Sequence, residues 1–359
     1  MKIGIFDPYL DDLGGGEKYM MTVAQCLSKD HDVKVFWDNK EDIKELQKRF
    51  SLDISKVEFI KNVFSSKVSL LTRLLQTKKF DVIILLSDGS IPFSLSKKTF
   101  IHFQQPILIS SLDLKTKYKI SRINKFFCNS YYSKSYVDKS LGVNSIVLYP
   151  PVEIKNKKGK KENIILHVGR FRVRDVTVSG VPIGDYKKQK VMLDAFKKMV
   201  DEGSKGWSFV LAVSVRNDDL NSFQVLKDSA KGYPIEFMVN KTNDELWDIY
   251  TKAKIYWHAS GYGEDLVKQP EYAEHFGIST VEAMGAGVVP VVINAGGQKE
   301  IVENGKNGYL WNNIDELLKY TEDLISDQNL WSKMSEEAKE RSKIFSGDRF
   351  CNELSDLIK

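Results

Sequence analysis

Short apolar runs rich in Ile, Val and Phe recur along the whole chain, and stretches with helical spacing lie between them. In the first half the strand candidates are residues 2–6, 33–37, 57–59, 81–86, 99–103, 126–129 and 145–148, with helical spacing at 17–28 and 68–77. Most of these runs are continuous rather than alternating, which is how strands buried on both faces of a parallel sheet read. The segment Tyr149-Pro150-Pro151-Val152 stops regular structure, because proline donates no N–H and restricts the residue before it. A lysine-rich stretch, 155–161, follows and reads as a linker. A second series then begins, with strands at 164–168, 208–213, 235–238, 255–258, 289–293 and 308–311 and helices at 188–200, 243–253, 279–284, 314–326 and 329–343. Thr242 with Glu245 three residues on is a capping box. The expected fold class is α/β, with two doubly wound domains at 1–152 and 153–344 and a closing helix at about 345–359. In such sheets ligands sit outside the carboxyl ends of the strands, so a crevice between the domains is the expected site.

Composition narrows this little. The chain has 359 residues, 42% apolar and 28% charged, which fits two folded domains. No run of 18 apolar residues occurs, and the N-terminus turns polar too soon for a secretory signal. Cys26, Cys128 and Cys351 are far apart and form no C-x-x-C pair. That spacing predicts neither a disulfide framework nor a zinc site, and it fits a cytoplasmic protein. Charge changes the picture more. Residues 1–150 carry 23 Lys and Arg against 16 Asp and Glu, and residues 151–359 carry 30 against 32. Five bases and no acid lie between Glu58 and Asp81, and six bases and no acid between Asp113 and Asp138. The first half therefore has a basic surface suited to phosphates or anionic lipid. Nucleic acid is not expected, because no binding motif or interleaved stacking aromatics accompany the charge.

The turn after the first strand ends in Gly14-Gly15-Gly16 before a helix, and such glycines let backbone approach an anion at a helix N-terminus. It lacks the dinucleotide G-x-G-x-x-G, although Asp38 stands where a ribose-binding acid would. Asp30-His31-Asp32 precedes the second strand, at the wrong end for a metal site, and no metal is expected. His102 closes the fifth strand and is expected to face the crevice.

The most informative stretch runs from Pro270 to Val292. Glu274 and Glu282 flank a Phe276-Gly277 break, after which a helix begins near Ile278. Its first amides, at Gly277, Ile278 and Ser279, are free to meet a ligand, and Ser279 and Thr280 add hydroxyls. Glu282 suits a diol such as that of a ribose, and Glu274 the hydroxyls of a second moiety. Gly296-Gly297 is expected to bring a loop close to the ligand. Arg170 after the strand 164–168, and Lys187 and Lys188 at a helix start, suit a diphosphate, and cations at a helix N-terminus oppose its dipole.

Together, Glu274-His275-Phe276-Gly277-Ile278-Ser279-Thr280-Val281-Glu282, Gly296-Gly297 and Gly169-Arg170-Phe171 resemble the retaining glycosyltransferases of family 4, which have the GT-B fold. The resemblance covers nearly the whole chain, and residues 13–18 and 101–106 look like those of lipid-linked-oligosaccharide mannosyltransferases and bacterial surface-polysaccharide transferases. It implies two Rossmann-like domains facing across a crevice, with the last helix packed back on the first, acceptor-side domain. It implies that Arg170 and Lys187 or Lys188 bind the donor diphosphate, that Glu282 holds the ribose, and that Glu274 holds the transferred sugar. Gly15, Gly16 and the segment from His275 to Ser279 would contact phosphate or sugar, and His102 would face the reacting centre. The implied reaction moves a hexose from a nucleoside diphosphate sugar, GDP-mannose in preference to a UDP-sugar, to a glycan or lipid-linked acceptor without cofactor or metal. The implied setting is the inner face of the membrane. Two segments, 171–186 and 261–270, look longer than the family's pattern, which leaves the choice between the two lysines open. The alternatives are a catalytically silent subunit of a transferase complex and a sugar-nucleotide epimerase on the same fold.

Overall fold

The computed structural model describes all residues except 13, 51, 158, 174–176, 179–180 and 183–184. The chain forms two compact units, Met1–Pro151 together with Gly347–Lys359, and Val152–Ser346.

The first unit is a parallel seven-stranded sheet of β1 (Lys2–Phe6), β2 (Asp32–Phe36), β3 (Glu58–Ile60), β4 (Val82–Ser87), β5 (Lys98–Phe103), β6 (Lys125–Cys128) and β7 (Ile146–Val147). Its order is β3-β2-β1-β4-β5-β6-β7. Its helices are α1 (Gly15–Leu27), α2 (Lys40–Phe50), α3 (Leu70–Thr77), α4 (Leu114–Ser121) and α5 (Tyr131–Leu141). The continuous apolar runs have a physical reason. Ile3, Ile5, Ile84 and Leu86 pack on one face with Tyr19, Met20 and Val23 of α1, while Phe6, Ile83, Leu85 and Ile101 pack on the other. Strand side chains alternate faces, so both faces must be apolar.

The second unit holds β8 (Ile164–Phe171), a short antiparallel hairpin of β9 (Thr177–Val178) and β10 (Val181–Pro182), then β11 (Ser208–Val215), β12 (Ile235–Val239), β13 (Ile255–His258), β14 (Val289–Ile293) and β15 (Tyr309–Trp311). The main sheet is parallel, in the order β12-β11-β8-β13-β14-β15. That repeats the order of the first six strands of the other unit, the doubly wound arrangement. Its helices are α6 (Gln189–Asp201), α7 (Leu220–Ser229), α8 (Asn243–Lys252), α9 (Ile278–Gly285), α10 (Gln298–Ile301), α11 (Ile314–Ser326) and α12 (Gln328–Lys343). The Thr242 capping box forms at the start of α8, with the Thr242 amide donating to Glu245 at 2.9 Å. The stretch read as a linker is tied down. Lys155 and Lys157 pair with Asp244 and Asp248 of α8. Lys161 donates to the carbonyls of Tyr250, Ala253 and Ala286, at 3.2, 2.8 and 2.8 Å, and so caps the ends of α8 and α9.

A last helix, α13 (Gly347–Ile358), belongs to the first unit. Phe350, Leu354, Leu357 and Ile358 form its buried stripe, and Arg349 donates to the Tyr149 carbonyl at 2.9 Å. Here the cysteine spacing misleads. Cys26 of α1 and Cys351 of α13 form a disulfide across 325 residues of sequence, with Cα atoms 5.4 Å apart. Only the packing of α13 on α1 brings them together, and no local spacing encodes it. Cys128 stays a free, buried thiol. In oxidised protein, Cys351→Ser is expected to lower stability by about 2–4 kcal/mol, because the cross-link restricts the unfolded chain. Denaturant melts with and without reductant check this, and the two proteins should match once reductant is present. Among the described residues no helix is long and apolar enough to cross a membrane.

Candidate active site

In the second unit the winding reverses between β8 and β13, so their carboxyl ends frame the position where such sheets bind ligands. Arg170 stands at the end of β8 with its side chain exposed. Its carbonyl accepts Gln189 Nε2 at 3.2 Å, and its guanidinium has no ion pair among the described residues. Beside it in the strand, a Cβ added at Gly169 would lie 3.0 Å from His167 Nε2 and 3.6 Å from Lys187 Cγ, so glycine leaves room for both side chains.

Lys187 and Lys188 diverge. Lys187 Nζ donates to Glu274 Oε2 at 2.6 Å. Lys188 pairs instead with Glu264, a residue of the extended segment 261–270. Its left-handed backbone (φ 58°) turns the chain into α6 and separates the two ammonium groups. The dipole conflict expected of these lysines is met locally. The buried Asp185 accepts the amides of Gln189 and Lys190 at 2.7 and 3.1 Å, which satisfies the start of α6 with a carboxylate.

Glu274 is the centre of the cluster. His258, at the end of β13, donates from Nε2 to the same Oε2 at 2.8 Å. Burial pushes the Glu274 carboxyl up, but Lys187 and His258 more than offset it and hold the group well below the usual carboxylate range. His258 itself is buried, and desolvation lowers its pKa, so it acts as a neutral donor.

The chain then breaks as the sequence suggests. Phe276 is buried against Phe345, ring centroids 5.3 Å apart. Gly277 caps α9 at φ 121°, and a Cβ there would lie 2.8 Å from Gln298 Nε2. Ile278 and Ser279 open the helix, and Ser279 Oγ pairs with Tyr256 OH at 2.8 Å. Thr280 is fully buried, so it presents no hydroxyl at the surface. Glu282 Oε2 accepts Tyr250 OH at 3.0 Å. His275 Nε2 lies 3.1 Å from the Glu271 carbonyl. The glycine pair packs closely on this same segment. The Gly297 amide donates to the Glu274 carbonyl at 2.8 Å, and a Cβ on Gly297 would lie 2.6 Å from the His275 carbonyl. These glycines admit the 274–276 backbone, so they position Glu274.

The remaining expected residues lie in the first unit. Gly15 and Gly16 open α1, and Gln104 Nε2 donates to the Gly16 carbonyl at 3.0 Å. A Cβ at Gly16 would meet the Gln104 side-chain amide, which would have to shift and give up its bond to the Gly16 carbonyl. Leu13 lies outside the described residues. His102, expected to face a ligand, is fully buried. It stacks on Tyr19 and Phe127 at 4.1 and 4.5 Å, and burial pushes its imidazole down to about 3. Its strand position decides this, because residues 100 and 102 point toward α1 while 101 and 103 point to the other face.

Asp7, just after β1, is also fully buried, with Oδ2 unpartnered among the described residues and Oδ1 accepting the Tyr9 amide at 2.9 Å. Burial, with Glu17 and Asp11 adding to it, raises its pKa from 3.8 to about 8. A carboxyl raised on folding gives stability that is full below its unfolded pKa and is lost as pH rises through the folded value. Wild-type stability should therefore decline between pH 4 and 8 relative to Asp7→Asn, which keeps the shape without the charge. Thermal melts of both proteins across that range check the sign.

Sequence reasoning missed His258, Tyr250 and Asp185. The strand-end position that singled out His102 applies equally to His258. Tyr250 reaches Glu282 from another helix and leaves no local signal.

The family model described as "Glycosyl transferases group 1" matches residues 152–341, nearly all of the second unit, and the chain belongs to that family. It is 27% identical over 241 residues to the GDP-Man:Man(3)GlcNAc(2)-PP-Dol alpha-1,2-mannosyltransferase of Dictyostelium discoideum, a match covering 62% of this chain and 43% of that protein's length. It is 27% identical over 331 residues to the same organism's alpha-1,3/1,6-mannosyltransferase ALG2, covering 79% and 76%. Among solved structures, Anabaena HepE in complex with UDP-glucose superposes with a TM-score of 0.72 at 17% identity over 100% and 99% of the two chains. The fold is GT-B.

Proposed function

We propose that the protein transfers a hexose, with retention of anomeric configuration, from a nucleoside diphosphate sugar to a glycan or lipid-linked acceptor. The observation that carries this is the Lys187–Glu274–His258 cluster at the carboxyl ends of β8 and β13, with Arg170 beside it exposed and without an ion pair among the described residues. Arg170 and Lys187 bind the diphosphate and the amides opening α9 assist them. Glu282, held by Tyr250, takes the ribose, and Glu274 takes the sugar's hydroxyls. Lys188, engaged with Glu264, stands outside this set. The donor favoured is GDP-mannose, supported by the mannosyltransferases among the relatives.

The hard step is breaking the anomeric C–O bond while negative charge grows on the diphosphate. Arg170, Lys187 and the start of α9 stabilise that charge without a metal. The acceptor oxygen bonds to the anomeric carbon on the face the diphosphate leaves, and the acceptor's proton passes to the departing phosphate oxygen. No side chain then need act as nucleophile. Glu274, ionised and hydrogen-bonded, orients the sugar. NMR of reactions run with a panel of nucleotide sugars in EDTA tests the proposal. The expected product keeps the donor's α configuration and forms at full rate. A β product, or strict dependence on added Mn²⁺ or Mg²⁺, would overturn it.

A further inference from the structure

Helix α3 is built with its apolar side outward. Leu70, Leu71 and Leu75 are 54%, 68% and 56% exposed. Arg73, between them in sequence, turns inward and donates to the Val63 and Phe64 carbonyls at 3.1 and 3.2 Å. A helix that packed only on its own sheet would bury the leucines and expose the arginine. Helix α4 repeats the pattern. Leu114 and Tyr118, one turn apart, are 84% and 58% exposed. The two helices border one surface, since Arg73 and Phe64 on one side and Thr116 and Lys119 on the other line a groove of about 370 Å³. A second cavity of about 440 Å³ adjoins α3, with Phe36, Ile60 and Phe80 lining it and Lys2, Lys61 and Lys79 among its charged groups.

Charge says what covers this face. The helices fall within the two acid-free stretches, where five and six bases are interleaved with the exposed apolar residues. Protein interfaces deplete lysine at their centres. Leucine and aromatic side chains flanked by lysines, with aliphatic stems along the apolar surface and ammonium groups at its edge, are the composition of helices that lie in a lipid headgroup layer. We propose that α3 and α4 dock the chain on an anionic lipid bilayer, with Leu70, Leu71, Leu75, Leu114 and Tyr118 entering the headgroup boundary and Lys115, Lys117 and Lys119 holding lipid phosphates. The surface goes beyond the donor site and does not depend on which sugar is transferred.

Co-sedimentation with vesicles of phosphatidylcholine, with and without phosphatidylglycerol, tests it without any need for turnover. The wild type should bind the phosphatidylglycerol vesicles, release them as salt rises, and ignore pure phosphatidylcholine. Joint Lys115→Glu, Lys117→Glu and Lys119→Glu should lower partitioning by roughly 100-fold or more. Joint Leu71→Ser and Leu75→Ser should lower it roughly tenfold. Leu71, Leu75, Lys115 and Lys117 are exposed and Lys119 is half-buried over the Phe93 ring, so a melt of each variant run beside the vesicle assay separates lost binding from unfolding. Absence of vesicle binding at low salt overturns the proposal, and so does binding that the leucine substitutions leave unchanged, which would be adsorption by charge alone. A wild-type dimer that Leu71→Ser disperses, in a protein that ignores vesicles, would make the face a self-association surface and overturn it too.

Discussion

Arg170→Ala is expected to cut turnover by roughly 10²–10³, about 3–4 kcal/mol of transition-state stabilisation, while leaving the melting temperature unchanged. The guanidinium is exposed and has no ion pair among the described residues, so folding gains little from it. In the proposed reaction its value lies in the charge that appears only as the diphosphate leaves. Arg170→Lys should recover only part of the rate, because an ammonium cannot hold two phosphate oxygens in one plane. Steady-state kinetics with a saturating donor, beside a thermal melt, checks both statements. Near-wild-type turnover in Arg170→Ala would remove Arg170 from the mechanism.

Lys187→Ala is the second large effect, again roughly 10²–10³ in turnover. It also carries a signature that loss of a surface charge would not. Lys187 and His258 together hold the Glu274 carboxyl low against burial, with the neutral His167 and Tyr256 nearby. Without Lys187, burial has more weight and the Glu274 pKa rises. The acid limb of the rate profile should therefore move to higher pH, since in the proposed reaction Glu274 accepts the sugar hydroxyls as a carboxylate. Lys188→Ala should move neither the rate nor the limb comparably, because its partner is Glu264. The pH dependence of kcat/KM for the two variants separates the lysines. Equal effects would mean that the ion pairs do not report their roles.

The fold was largely readable because its strands are buried on both faces and leave uninterrupted apolar runs. The Glu274–Glu282 segment was readable for a related reason, since the Phe276-Gly277 break and the later glycines have no use in an ordinary amphipathic helix. What stayed hidden depends on contacts between distant parts of the chain. Nothing near residue 26 announces residue 351, and nothing near Glu282 announces Tyr250. The two lysines look alike in sequence, and only the left-handed turn at Lys188 and the reach of Glu264 separate them. His102 shows what strand alternation adds. A strand-end histidine suggested chemistry, yet the alternation of β5 sends its ring into the core between Tyr19 and Phe127. The first unit's basic charge needed the fold beside it. The sequence locates the lysines, but only the fold shows leucines facing outward among them.

Thermal denaturation with nucleotide sugars tests the donor site most directly. GDP-mannose at about 100 times its Kd should stabilise the wild type by ~2.7 kcal/mol and raise its melting temperature. The shift should be lost in the Arg170→Ala, Lys187→Ala double variant. If no nucleoside diphosphate sugar shifts the wild-type melt, or if the double variant shifts just as far, the diphosphate is not held where Arg170 and Lys187 stand.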